Sequence, residues 1–262
     1  MVLKYDSKPN IVPMIEPFQS SDHDKYHMYL TIHYNKNDSH SPFPHRNDHT
    51  TWYILKYGSN CTIVNMSVID AKAQTGGGGS FAVENSSVLN LFDLAIDRST
   101  AYVSGAAFLV SNHAQLTVTN CSVEMSNATD GGFVALSKRS VAIMHNVSSN
   151  LKTATGKGGY ARSKHSQLYL HGCSVYQSNS KYSGALLFED HSSGNILKSF
   201  FKDCRSHFGG VALLNDSTAF FQASEVNFSF AAYEGGAVLM VKISTLSMES
   251  CRLQFEWFYS WT

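Results

Sequence analysis

From Trp52 onward the chain alternates apolar and polar residues in short runs, and each run ends in Ser, Asn, Asp or Gly. A period of two over such lengths predicts half-buried strands, and the punctuation predicts turns between them. No stretch holds helical spacing over a useful length, so no helix is expected. The unit at Gly105 reads Ala106-Ala107-Phe108-Leu109-Val110, a turn at Ser111-Asn112-His113, then Leu116-Thr117-Val118-Thr119 and Cys121-Ser122-Val123. The unit at Gly236 has the same grammar: Ala237-Val238-Leu239-Met240-Val241, a turn, then Leu246-Ser247-Met248 and Cys251-Arg252-Leu253.

These units recur. Glycines at 79, 105, 132, 159, 184, 210 and 236 (Gly79, Gly105, Gly132, Gly159, Gly184, Gly210, Gly236) follow one another at steps of 26, 27, 27, 25, 26 and 26 residues. A fixed period of this size is the signature of a stacked repeat. Three short strands per repeat without helices predict an all-β parallel β-helix, one coil per repeat, with coils about 4.8 Å apart. The general crossover preference makes it right-handed. An earlier half-unit, Cys61 to Val68, aligns with Leu116 to Val123, which gives about seven to eight coils. The glycine run at 76–79 resembles a flexible linker, but Gly79 falls in register with the later anchors.

Composition divides the chain. All five prolines lie between Pro9 and Pro44, and six of the twelve histidines lie in the first 49 residues. Proline cannot donate to a strand ladder. The division is therefore an irregular Pro/His-rich segment over 1–50 and a repeat domain over 51–262. Twenty basic and twenty acidic residues give a formal net charge of zero, with no basic cluster; a nucleic-acid partner is not expected. No apolar run approaches the roughly 18 residues of a membrane helix. The N-terminus lacks the apolar stretch of a signal peptide, which implies either a cytosolic protein or a piece of a longer one.

Gly235-Gly236-Ala237, with Gly131-Gly132-Phe133 and Gly209-Gly210-Val211 as partial versions, and Asn120-Cys121-Ser122-Val123 later in the coil, resemble the repeat of the polymorphic outer membrane proteins. They also resemble the wider pectin-lyase-like group of right-handed parallel β-helices. The likeness covers about 59–253. It implies the fold, and a place at the cell surface or outside the cell.

Four groups of residues are candidates for chemistry. Cys121 and Cys173 hold the same place two coils apart, with Val147 between them. Their separation of about 9.6 Å exceeds the roughly 7 Å a disulfide spans. They and Cys251 are expected as small inward residues in a stack shared with Met66. Second, counting six residues past each anchor superposes His165, Asp190 and Asp216 at one turn. Two carboxylates about 5 Å apart suit a shared proton, a bound cation or the acid pair of a glycosidase, while the reading preferred for Asp at a turn is a solvated corner. Third, His40, His45 and His49 match no metal-ligand spacing, and neither a metal nor a cofactor is expected. Fourth, the row Ala82, Phe108, Ala135, Arg162, Leu187, Leu213, Leu239 contains an arginine and so is expected to point outward. Its members Phe108, Leu187, Leu213 and Leu239 form either a protein-contact face or a surface covered by another segment such as 1–50.

Nine Asn-x-Ser/Thr sequons occur, at Asn37, Asn60, Asn65, Asn85, Asn120, Asn127, Asn146, Asn215 and Asn227; Asn- and Ser-rich turns also generate them by chance. The aromatic end, Phe255 to Trp261, suits either a cap over the last coil or a chain that continues. The expected function is a non-catalytic surface or secreted module for adhesion or recognition of a protein or carbohydrate. The alternative is a carbohydrate-active enzyme at the His165/Asp190/Asp216 turn. Ice binding would need a regular Thr array, and Leu116-Thr117-Val118-Thr119 is not repeated in neighbouring coils.

Overall fold

Each coil is a sequence of short straight runs joined at corners where one or two residues take a left-handed backbone. In the coil around residue 140 these are Gly131, then Lys138 and Arg139, then Asn146, then Leu151, with φ of 60°, 57°, 61°, 53° and 54°. A left-handed residue costs about 1–2 kcal/mol outside Gly, Asn and Asp, and many of these positions carry those three types. Between corners the chain runs straight and pairs with the coils on either side. The computed structural model describes residues 53–73 and 77–254. The expectations for 1–50, for the three histidines there and for the aromatic end lie outside these residues.

Two parallel sheets result. The first has eight strands, one per coil, from Tyr53–Leu55 through Val134–Ser137 and Ala161–Lys164 to Val238–Val241. The second collects the remaining eighteen strands. The chain is an all-β parallel solenoid of about eight coils, with no helix among the described residues. Among the described residues six of the eight coils carry the expected three strands and two carry four. The last run bends at a single left-handed residue, as Ser122–Asp130 does at Met125. In a later coil it divides into Phe200–Lys202 and Arg205–Phe208.

The glycine corner needs one correction. The left-handed glycines are Gly78, Gly105, Gly131, Gly158, Gly209 and Gly235, with Ser183 in the same place. Gly105 is thus the first residue of its pair, and Ala106 occupies the place of Gly79, Gly132 and Gly159. The coil before it is one residue longer than anchor counting implied. The second glycine is required by close approach. A Cβ on Gly159 would lie 2.1 Å from the carbonyl oxygen of Gly184, and one on Gly184 would lie 2.0 Å from that of Gly210.

Inside, apolar side chains stack in columns. Phe81, Phe108, Phe133 and Tyr160 form a continuous aromatic run, with ring centroids 5.5, 5.2 and 4.9 Å apart. All four are fully buried. The corners are filled by small polar residues, because an amide turned inward at a corner needs an acceptor. Ser166, Ser192, Ser217 and Ser244 each accept, through Oγ, the amide of the residue one coil earlier, at 3.2, 3.2, 3.2 and 3.3 Å. Ser199 and Ser224 do the same at the next corner, at 3.2 and 3.1 Å.

The cysteines follow the expected column. Ser148 pairs with Ser122 and with Ser174, so Cys121, Val147 and Cys173 stack, and Ser199, Ser224 and Cys251 continue the line. Cys121, Cys173, Cys204 and Cys251 form no disulfide. Burial pushes the Cys121 and Cys173 thiols up to about 11 and that of Cys204 to about 12, so they pack as small apolar groups.

Candidate functional site

The acidic corner forms as counted. Lys164 pairs with Glu189, Glu189 with Asn215 and Asn215 with Val241. The residues that follow, His165, Asp190, Asp216 and Lys242, therefore stack, all left-handed. Their amides reach the next coil: His165 donates to Glu189 O at 3.2 Å and Asp190 to Asn215 O at 3.1 Å. Each carboxylate has its own basic neighbour. Asp190 lies 3.3 Å from the Lys164 ammonium, and Asp216 lies 3.3 Å from Nδ1 of His191. Slight burial pushes the Asp190 carboxyl up, but the hydrogen bond and charge of Lys164, with His165 and Lys242, outweigh it and hold the group below its ordinary value. A general acid needs the opposite shift. These side chains have the environment of a solvated, ion-paired corner.

The row proposed as an outward contact face is placed differently. Phe108 pairs with Phe81 and Val134 in the inward row, and Leu109 takes the outward place beside Ala82 and Ala135. Leu187, Leu213 and Leu239 do lie in the outward row, yet Leu187 and Leu213 are buried and Leu239 is half-buried. The glycine corners lie against this row. The Cβ position of Gly209 is 3.4 Å from Leu213 Cβ, and that of Gly131 is 3.3 Å from Ala135 Cα. An exposed apolar patch is therefore absent there.

The same outer face carries a charge network that the sequence reading missed. Glu189 receives Lys157 Nζ at 2.6 Å and Arg162 Nε at 2.8 Å, and Arg162 Nη1 donates to Asp130 Oδ2. Burial pushes the Glu189 carboxyl up, but the bonds and charges of Lys157 and Arg162 together bring it below its ordinary value. A lowered folded-state value means stability that is present above the ordinary carboxyl value of 4.5 and lost as pH falls through the shifted one. Glu189→Gln is expected to cost about 1–3 kcal/mol and to flatten the fall in melting temperature below pH 4.5. A steep acid fall retained in the variant would refute this.

The exposed chemistry lies on the second sheet. Register stacks Thr117, Ile143, Tyr169, Asn195 and Phe220 in one outward column. Two residues on along each strand, His145, His171 and Leu197 form another. Ile143, Tyr169 and Asn195 of the first column, with all three of the second, line a shallow depression of about 260 Å³. The Tyr169 ring is partly exposed, at 37%, and its hydroxyl donates to Gln167 Oε1 at 3.0 Å. The His145 and His171 rings meet edge to face at 5.7 Å. Asn195 Oδ1 is buried with no partner among the described residues. An aromatic face and two imidazole rings thus line one open, almost wholly apolar surface, with the Asn195 amide oxygen buried. The sequence signal was present, as outward positions of period two, but those positions cannot be aligned across coils until each coil length is known. The column is not a Thr array.

The sequons also find a structural reason. Asn65, Asn120 and Asn146 are the left-handed residues of one corner, and each is followed by an inward residue and then a serine that opens or joins the next run. Asn146 Nδ2 donates to Asn120 Oδ1 at 3.2 Å. Asn85 plays the same part at another corner, with Ser87 inward. Backbone geometry alone accounts for Asn at these places.

Among the described residues no three His, Cys, Asp or Glu side chains gather as a metal group, and no helix is long and apolar enough to cross a membrane. No family model matches the chain, and neither a curated protein nor a solved structure matches it. Of the likeness to the polymorphic outer membrane and pectin-lyase-like proteins, what stands is the architecture: a parallel β-solenoid built from repeats.

Proposed function

We propose that this chain is a non-catalytic recognition module of a surface or secreted protein, and that it contacts carbohydrate with the outer face of its second sheet around Tyr169. The observation that carries this reading is the depression lined by Ile143, His145, Tyr169, His171, Asn195 and Leu197. A partly exposed ring, with the apolar surface around it, offers a face on which a sugar ring can stack. The parallel ladder beneath holds these groups at fixed spacing, so binding orders little of the protein.

A glycan array, paired with a reducing-end release assay on the same polysaccharides, tests this. Binding without release is expected. Tyr169→Ala is expected to weaken it roughly tenfold, as loss of one aromatic contact worth about 1.4 kcal/mol would, with an unchanged melting temperature. Silence on every glycan refutes the carbohydrate ligand. Release of reducing ends refutes the non-catalytic reading and sends the search to Asp190 and Asp216.

A further inference from the structure

A lysine stands inside the solenoid. Lys152 pairs with Ser126 on one side and Ser178 on the other. Asn179 pairs with Arg205, and Asn127 with Thr100, so the inward column at this corner reads Ser99, Ser126, Lys152, Ser178, Cys204. Every member is buried, and Lys152 is 0% exposed. Its Nζ donates to the carbonyl oxygens of Val123 at 2.7 Å and Asn150 at 2.8 Å. Those two acceptors match the two N–H bonds of an uncharged amine. The third proton of an ammonium has no acceptor among the described residues. The hydroxyls of Ser126 and Ser178, above and below, are themselves buried and unpartnered.

We propose that Lys152 makes this corner a proton-linked joint: the closed coil holds the amine uncharged, and opening of the run Ser148–Lys157 takes up one proton. The charged groups around it are few. Glu124 on the preceding coil and Asp97 one coil further back favour the ammonium, but burial outweighs them and pushes the amine down to about 7. Asp130, Lys157 and Lys181 lie on the same and adjoining strands without a bond to it. Tyr160, Cys121, Cys173 and Cys204, also in the interior, are held neutral by burial. Because the folded value lies below the ordinary 10.5, closure strengthens as pH rises from about 7 to 10.5 and gains nothing below 7.

Native-state hydrogen exchange on the whole chain reads this. After correction for the intrinsic rate, the opening constant of residues 148–157 is expected to fall roughly 50-fold between pH 7 and pH 9. The first-sheet strand Val134–Ser137 is expected to change less. In Lys152→Met, which keeps the volume, and in Lys152→Ser, which repeats its column neighbours, the slope should vanish. If neither variant folds, the Nζ titration of the wild-type lysine by NMR decides. A midpoint near 7 supports the joint and one near 10 overturns it. A flat wild-type slope, or the same slope in a folded variant, also overturns it.

Discussion

Gly184→Val is expected to lower the melting temperature of the solenoid sharply. A Cβ there would sit 2.0 Å from the carbonyl oxygen of Gly210, 2.8 Å from the amide nitrogen of Arg205 and 3.0 Å from the carbonyl carbon of Cys204. All three atoms are backbone of the next coil, fixed in the ladder, so no side chain can swing aside. Overpacking a core costs about 1–3 kcal/mol when neighbours can give, and here they cannot. A loss above about 3 kcal/mol would lower the melting temperature by at least about 6–12 °C in a domain of this size. Gly236→Val is the control, since its Cβ position meets nothing within 4 Å among the described residues. Circular dichroism melts of both variants check the claim. A Gly184→Val protein melting within a few degrees of wild type would remove close approach as the reason for the repeated glycine.

Phe108→Ala is expected to lower stability by about 3–5 kcal/mol, which is about 6–20 °C in melting temperature. Phe108 stacks on Phe81 at 5.5 Å and meets Phe133 edge-on at 5.2 Å, so its removal opens a gap in the middle of the aromatic run. Leu109→Ala, on the outward and half-buried side of the same strand, should cost far less. If Phe108 were instead a contact residue, its loss would weaken association and leave the melt unchanged. Comparing the melt with the oligomeric state separates the two.

The repeat, the coil and the inward cysteines were all legible in the chain, because they depend on spacing and on period-two patterning. The acidic corner was legible for the same reason: it lies a constant count after the glycine. Phe108 went wrong because Ser104-Gly105-Ala106 carries a single glycine, which could be aligned with either member of the usual pair. A shift of one residue turns a strand over, so an inward phenylalanine read as outward. Leu187 and Leu213 were placed on the correct face. What was missing was the backbone of the glycine corner lying over them, which no side-chain pattern encodes. Lys152 was illegible for another reason. Lysine ordinarily marks solvent, and only the left-handed turn at Leu151 directs it inward. Tyr169 needed lateral register, which appears only once every coil length is known.

The handover of corner amides to serines one coil along has an evolutionary consequence. Since Ser166, Ser192 and Ser217 each receive from one neighbour and donate to the next, any coil in this series meets its neighbours through an equivalent interface. A tandem duplication or loss of one whole repeat therefore lengthens or shortens the rod by about 4.8 Å and leaves the remaining joints intact. Deleting a single residue within a run puts the wrong side chains inside. Lineages of such a protein should differ by entire coils, with changes of one residue confined to the bends.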